Sequence, residues 1–253
     1  MEPRISTGKL ERLDTRGVLE SMKKELETRT ASPNPKKSPS STTFIGKNDD
    51  ERVKLEKYGI YKRFANITFS EIEKMGLPDN FSIKENYKIV KDYAKNIKSY
   101  IEQGVGLFLI GDCGTLKTTF SVAIMRQLID NEDFYYSCYF IPMTSLMDNI
   151  YTMQSLSKEE AARFEKKIRT VKLLVIDDLG SENTDVSWVK SKVDSIITER
   201  YNRMLSCIIS TNLDANALKN TYASRIIDRF KSTNKTLIFK GKSARKELFY
   251  NFS

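Results

Sequence analysis

Gly106-Leu107-Phe108-Leu109-Ile110-Gly111-Asp112-Cys113-Gly114-Thr115-Leu116-Lys117-Thr118-Thr119 is a short apolar run that ends in a glycine-containing turn and continues into Lys-Thr-Thr. A helix-periodic segment follows, with Val122, Ile124, Met125, Leu128 and Ile129 as its apolar positions. Strand, phosphate-sized loop and helix N-terminus in that order form a nucleotide-phosphate site. Loop N–H groups and the positive helix end would face the anion, Lys117 would reach the β and γ phosphates, and Thr118 would hold Mg²⁺. One position departs from the pattern G-x-x-x-x-G-K-[ST]: the residue before the lysine is Leu116, where glycine is the rule.

Upstream, Val53, Leu55, Tyr58, Ile60 and Phe64 supply apolar and aromatic contacts ahead of the loop. Ser82-Ile83-Lys84-Glu85 reads as a capping box opening a helix with Tyr87, Val90, Ala94, Ile97 and Ile101 on one face. Downstream, a second strand is predicted at Tyr136–Ile141 and a helix at Met143–Met153. Another helix is capped at Ser157 and runs to about Arg169. Val171-Lys172-Leu173-Leu174-Val175-Ile176-Asp177-Asp178-Leu179-Gly180 reads as a strand buried on both faces with two acids at its carboxyl end, where ligands sit in an open α/β sheet. A helix over Asp185–Leu205 carries a stripe of Val186, Val189, Val193, Ile197, Tyr201 and Met204. Strand Cys207–Ser210 then ends in Thr211-Asn212, and Asp214 caps a short helix. A helix from about Tyr222 places Arg225 and Arg229 on one face, and a strand at Leu237–Phe239 precedes the basic tail from Lys240 to Lys246. Strands alternating with helices predict a parallel sheet with helices on both sides.

Phosphoryl transfer needs an acid to hold Mg²⁺ and a carboxylate to orient the attacking water. About sixty residues after the loop, Asp177 suits the first role and Asp178 the second. Asn212, at the end of the next strand, would stand between the carboxyl ends of the first and third strands, within reach of the γ-phosphate or the water. Asn-Leu-Asp is also an ordinary Asx-type turn. Arg225 and Arg229 fit the role of arginines reaching a neighbour's γ-phosphate, and they equally fit a solvated helix face.

The chain has 253 residues, room for one sizeable α/β domain and an appendage. Its 42 Lys+Arg against 33 Asp+Glu give +9 and a pI near 9.3, a balance that favours polyanionic partners such as nucleic acid. Cys113, Cys138 and Cys207 stand far apart and histidine is absent, which argues against zinc and against a disulfide framework and points to a reducing cytosol. Neither a signal-peptide apolar region nor a run near the ~18 apolar residues of a membrane span is found, so a cytoplasmic, non-membrane protein is expected. Within residues 1–30, Val18, Met22 and Leu26 recur every four positions. They suit either a frayed, solvated helix or one that docks on a partner. The Ser/Pro/Lys stretch Thr30–Thr43 reads as a linker. The expected organisation is an N-terminal segment over 1–47 and a nucleotide-binding domain over 48–253.

Gly111…Lys117-Thr118, Leu173–Asp178, Ser210-Thr211-Asn212, Ser224-Arg225-Ile226-Ile227-Asp228-Arg229 and Ser243-Ala244-Arg245, in that order, resemble the DnaC/DnaI-type bacterial or phage helicase loaders. These are AAA+ ATPases related to the IstB-like ATP-binding proteins, and the resemblance runs from about Tyr58 to Arg245. It implies a P-loop (AAA+) parallel sheet without a substantial C-terminal lid. A Walker A loop would span Gly111, Asp112, Cys113, Gly114, Thr115, Leu116, Lys117, Thr118 and Thr119, and Walker B would be Asp177 and Asp178, with Mg²⁺ on Thr118 and Asp177. It also implies Asn212 as sensor 1, Arg229 as arginine finger with Arg225 beside it, and Arg245 as a sensor-2-like arginine. DnaI-type loaders carry a zinc-binding N-terminal domain, for which this chain lacks both cysteines and histidines.

The implied function is an ATP- and Mg²⁺-dependent loader that delivers a hexameric replicative DNA helicase onto single-stranded DNA. Its turnover would be slow and stimulated by partner or DNA, and its protomers would associate side by side through Arg229. An IstB-like ATPase assisting a transposase shares every motif and differs only in its partner. A nucleotide-gated adaptor with little hydrolysis is a third reading, motivated by Leu116. For DNA, the region Met143–Arg169 offers Lys158, Arg163, Lys166, Lys167 and Arg169 with Tyr151 and Phe164 nearby, the combination used in sequence-tolerant single-strand binding. It reads as well as a charged helix face with Phe164 in the core.

Overall fold

In the computed structural model the described residues are 54–131, 136–182 and 187–245. The N-terminal helix and linker expected within 1–47 lie outside them.

Five strands form one parallel sheet: β1 (Gly106–Gly111), β2 (Cys138–Pro142), β3 (Leu173–Leu179), β4 (Ser206–Thr211) and β5 (Asn234–Phe239), in spatial order β2-β3-β4-β1-β5. Each inner strand sends alternate side chains to opposite faces, so each carries a short continuous apolar run. Leu107 and Leu109 of β1, Leu173 and Val175 of β3 and Ile208 of β4 pack into one core. Phe108, Leu174, Ile176 and Ile209 pack into the other.

The first face is covered by α1 (Phe69–Met75), α2 (Phe81–Lys95), α3 (Ile97–Glu102) and α4 (Lys117–Ile129). On the second face lie α5 (Met143–Leu156), α6 (Lys158–Thr170), α7 (Ser187–Asn202), α8 (Ala215–Thr221) and α9 (Ser224–Thr233). Ser157 caps α6 by accepting the Glu160 N–H, and Asp214 caps α8 through the N–H groups of Asn216 and Ala217.

Three local expectations are corrected. Ser82 does not cap α2. Asn80 does, accepting the Ile83 N–H at 3.0 Å, while the Ser82 hydroxyl donates to the Ile238 carbonyl at 2.9 Å. Asn86 donates to the same carbonyl at 2.8 Å, so side chains of α2 cover the backbone of edge strand β5. The helix face from Tyr87 to Ile101 is split at Asn96, whose side chain bonds back to the Asp92 carbonyl at 3.1 Å; all five apolar positions nevertheless stay buried. The α7 stripe holds at Val189, Val193 and Ile197, but Tyr201 and Met204 are exposed, and Val186 is outside the described residues.

The inward position on the last turn of α7 belongs to Arg200, 0% exposed. Its guanidinium donates to the Ile168 and Val171 carbonyls, both at 2.9 Å, to the Ser206 carbonyl at 2.8 Å and to the Cys207 sulfur at 3.0 Å. Those carbonyls belong to the C-terminal end of α6 and the start of β4, groups left without partners by the regular elements. A cation placed there also complements the negative end of α6.

Candidate nucleotide site

The carboxyl ends of β1, β3 and β4 converge because β4 lies between the other two. The loop after β1 passes so close to the chain after β5 that a Cβ on Gly114, at φ 79°, would sit 2.1 Å from the Ser243 hydroxyl. Leu116 then adopts φ 70°, ψ 13° and starts α4. The sequence departure therefore falls on a position that does require left-handed backbone, at a strain of about 1–2 kcal/mol.

Lys117 follows, 6% exposed, its ammonium donating to the Gly111 and Asp112 carbonyls at 2.7 Å and to Asn212 Oδ1 at 2.9 Å. Burial pulls its pKa down, and the negative charges around it, those of Asp178, Asp177 and Asp112 among them, oppose the pull. Thr118 Oγ1 stands 2.9 Å from both carboxylate oxygens of Asp177, which also accepts the Ser210 hydroxyl at 2.6 Å. Burial raises the Asp177 pKa against the opposing hydrogen bonds of Ser210 and Thr118. A buried carboxylate flanked by hydroxyl oxygens, with no sulfur or imidazole in the set, has the hard-oxygen chemistry that suits Mg²⁺.

Adjacent residues of a regular strand point to opposite faces, yet Asp177 and Asp178 line one cavity. A register shift between β3 and β4 at Ile176/Leu179 and a left-handed Asp178, φ 60°, account for this. The Asp178 N–H is tied to Ser210 Oγ at 2.9 Å, and its carboxylate accepts Asn212 Nδ2 at 2.5 Å. Asn212 thus bridges Lys117 and Asp178.

The cavity holds about 530 Å³. Its polar wall comprises Gly114–Thr119, Asp177, Asp178, Ser210, Asn212 and Arg245, so most residues expected from the sequence do meet there. Its apolar wall, Tyr61, Phe64, Ile67, Ile72 and Leu77, is not among the site residues the sequence suggests, and Arg63 also lines the cavity. The apolar and aromatic contacts that Tyr58–Phe64 supply ahead of the loop are the available signal, and nothing in their sequence pattern ties them to a ligand.

Arg225 and Arg229 are not among the residues lining this cavity. Both are held by Asp194 of α7. Arg225 makes a two-point contact, Nε to Oδ1 at 3.1 Å and Nη2 to Oδ2 at 2.5 Å. Arg229 lies 3.5 Å from Oδ1, donates to the Thr198 hydroxyl and rests over the Tyr201 ring. The Arg225 hydrogen bond, ahead of the desolvation that opposes it, holds the Asp194 pKa below the usual carboxylate range.

Among the basic residues expected to meet DNA, Lys167 is redirected. Its ammonium lies 3.4 Å from the centroid of the Tyr139 ring and is half-buried. Arg169 is committed to Glu199 at 2.8 Å and Glu165 at 3.3 Å, and Phe164 packs against the core. Lys166 remains exposed, as does Tyr151.

A parallel sheet in which one strand separates the phosphate-loop strand from the acid-bearing strand, with a loop lysine, a buried acid and a strand-end asparagine at one cavity, is a P-loop ATP-binding domain of the AAA+ class. More particularly, residues 57–248 match the family model of the IstB-like ATP binding proteins, and the chain belongs to that family. It is 30% identical over 135 residues to the replicative helicase loader DnaI of Bacillus subtilis, covering 51% of this chain and 41% of that protein. To the replicative helicase loader DnaC of Buchnera aphidicola subsp. Schizaphis graminum it is 28% identical over 159 residues, 59% of this chain and 63% of the relative. A crystal structure of the DnaC helicase loader superposes with a TM-score of 0.60 at 26% identity, covering 71% of this chain and 99% of that one. A crystal structure of DnaI gives 0.58 at 19% identity over 72% and 95% of the two chains, a likeness of fold. The chain thus spans less than two thirds of the length of the curated relatives it matches.

Proposed function

We propose that this protein binds and hydrolyses ATP and uses the cycle to deliver a replicative DNA helicase onto single-stranded DNA. The observation that carries the ATPase half is the connected set Lys117–Asn212–Asp178 beside Thr118–Asp177 in one cavity. Loop N–H groups and Lys117 bind the phosphates, and the apolar wall around Phe64 and Ile72 takes the base. Thr118 and Asp177 would hold Mg²⁺, which would supply neutralisation of the phosphate charge. Asp178 orients a water for attack on the γ-phosphorus and accepts its proton as the bond to the bridging oxygen breaks and ADP leaves. Asn212 fixes the Asp178 carboxylate relative to Lys117. Arg229, offered by a neighbouring copy, stabilises the charge that builds on the γ-phosphoryl oxygens.

The helicase half is supported by both curated relatives being replicative helicase loaders. Native mass measurement of the protein mixed with the host's replicative helicase hexamer, with and without ATP, tests it. A stoichiometric complex is expected. Absence of one, together with binding to a transposase encoded beside it, would transfer the ATPase to the IstB-like transposition role.

The left-handed Leu116 favours a second reading, an adaptor gated by nucleotide with little turnover. Steady-state hydrolysis by the wild type beside Lys117→Ala and Asp178→Asn separates the two. Both variants are expected to fall well below the wild type, and equal rates for all three would leave the adaptor.

A further inference from the structure

Arg245 reaches the cavity on a segment that has no regular structure until that residue. A guanidinium can act on a nucleotide only if its backbone is held, and backbone groups of Lys240, Gly241 and Ala244 are held by side chains and by the phosphate loop. Asn80 Nδ2 donates to the Lys240 carbonyl at 2.9 Å, and the Lys240 N–H reaches Ser82 Oγ at 3.1 Å. Asp112 Oδ2 accepts the Gly241 N–H at 2.8 Å, and the Gly114 carbonyl accepts the Ala244 N–H at 3.0 Å. This also explains why Ser82 is withdrawn from capping α2.

Asp112 stands at the junction of these contacts. Its carbonyl accepts the Lys117 ammonium at 2.7 Å, its N–H donates to the Phe239 carbonyl at 3.0 Å, and its carboxylate, not among the cavity's lining residues, accepts the Gly241 N–H. We infer that Asp112 is a positioning residue: by gripping the Gly241 N–H it sets the basic tail against the phosphate loop and so places Arg245 over the nucleotide's phosphates. The inference rests on the proposed ATP site and on Arg245, which lines its cavity and which the resemblance implies is a sensor-2-like arginine, meeting the phosphates there. A carboxylate so near the phosphates is electrostatically unfavourable for an anion. Its retention there makes sense as an acceptor for the tail.

A double-mutant cycle on the full chain tests this, with Mg²⁺ present and the non-hydrolysable analogue AMPPCP and ADP as probes, so that hydrolysis is not required. Arg245→Ala is expected to weaken AMPPCP by about tenfold, the scale of a charged hydrogen bond, and ADP by less. Asp112→Ala should produce the same loss of preference for the triphosphate, add nothing in the Arg245→Ala background, and be rescued by Asp112→Asn, which keeps the accepting oxygen. Should Asp112→Ala not fold, Asp112→Ser, whose oxygen is too short to reach Gly241, takes its place. Equal weakening of both nucleotides, or an undiminished effect of Asp112→Ala without Arg245, overturns the positioning role. A silent Arg245→Ala overturns it too, and removes Arg245 from the nucleotide site.

Discussion

The phosphate loop and the arginine-bearing flank formed by α7 and α9 use charge in opposite ways. At the loop, Lys117 is 6% exposed and its ammonium is surrounded by oxygens of the same chain. On the flank, the Arg225 side chain is 65% exposed and its partner is a single carboxylate, Asp194. Buried charged groups are expensive to leave unpaired, so the loop is fixed in one arrangement. An exposed ion pair is worth about 0–1 kcal/mol and can be exchanged for another anion at little loss. The loop is complete within one chain. The flank arginines are held by Asp194, an arrangement compatible with the proposed role of Arg229 at a neighbour's phosphate.

The sharpest way to break this contrast is Arg229→Ala. Nucleotide affinity of the isolated chain should stay unchanged while turnover drops by about 10³-fold or more, the scale of a trans-acting arginine. Lys117→Ala, which spoils the loop, should be equally inactive. Mixing the two variants should restore part of the activity, because a Lys117→Ala chain still offers its Arg229 to an Arg229→Ala chain with an intact loop. A mixture no more active than its components would place Arg229 in its own chain's chemistry or in none.

A different arginine on the same flank sharpens the contrast from the side of stability. Arg200 is fully buried and serves four acceptors at the junction of α6, α7 and β4. Arg200→Met keeps much of the volume but strips those acceptors of their donors. Unfolding in urea should show a loss of roughly 3–5 kcal/mol, the sum of several unsatisfied buried groups. A loss no larger than that of an exposed Arg203→Met would mean that the carbonyls find other donors.

The sheet and its ligand edge were legible because their signals are local: apolar runs of strand length, the lysine of the loop, and acids at a strand end. The place of Asn212 between the first and third strands' carboxyl ends follows from β4 lying between β1 and β3, and it puts Asn212 beside Asp178. What was not legible depends on contacts between distant segments. Ser82 has the spacing of a capping box, but β5 and the chain after it claim its hydroxyl. Arg200 carries a charge that pattern reading sends to solvent, and only the folded helix end shows why it turns inward. The apolar wall of the cavity looks in sequence like any other core segment. The left-handed turn that brings both aspartates into one cavity has no signature in Val-Ile-Asp-Asp-Leu-Gly.

Leu116 offers a smaller test, in which the sign matters more than the size. Its side chain is buried, so Leu116→Ala should destabilise by lost burial while keeping the backbone strain. Leu116→Gly loses the same contacts but relieves the left-handed strain. Glycine should therefore be more stable than alanine here by about 1 kcal/mol, the reverse of their order inside a helix. The glycine variant should also bind ATP at least as tightly as the wild type, measured by calorimetry. Alanine outranking glycine would show that the loop finds another backbone when the leucine is removed.

The smallest effect separates two adjacent lysines of α6. Both looked equally suited to a DNA backbone in sequence, but Lys166 is exposed whereas Lys167 lies over the Tyr139 ring. Burial pushes the Lys167 pKa down, the opposite of what a phosphate contact would favour. If single-stranded DNA crosses this face, Lys166→Ala should weaken binding and reduce the slope of log K against log salt by about 0.7, the value for one released counterion on a single strand. Lys167→Ala should leave that slope unchanged and instead lower stability by about 0.5–1 kcal/mol through the lost cation–π contact. Titrations of labelled oligonucleotide at several salt concentrations give the slopes directly. Equal slope changes for both would mean that Lys167 leaves the ring to meet DNA, and no change for either would take α6 out of the DNA path.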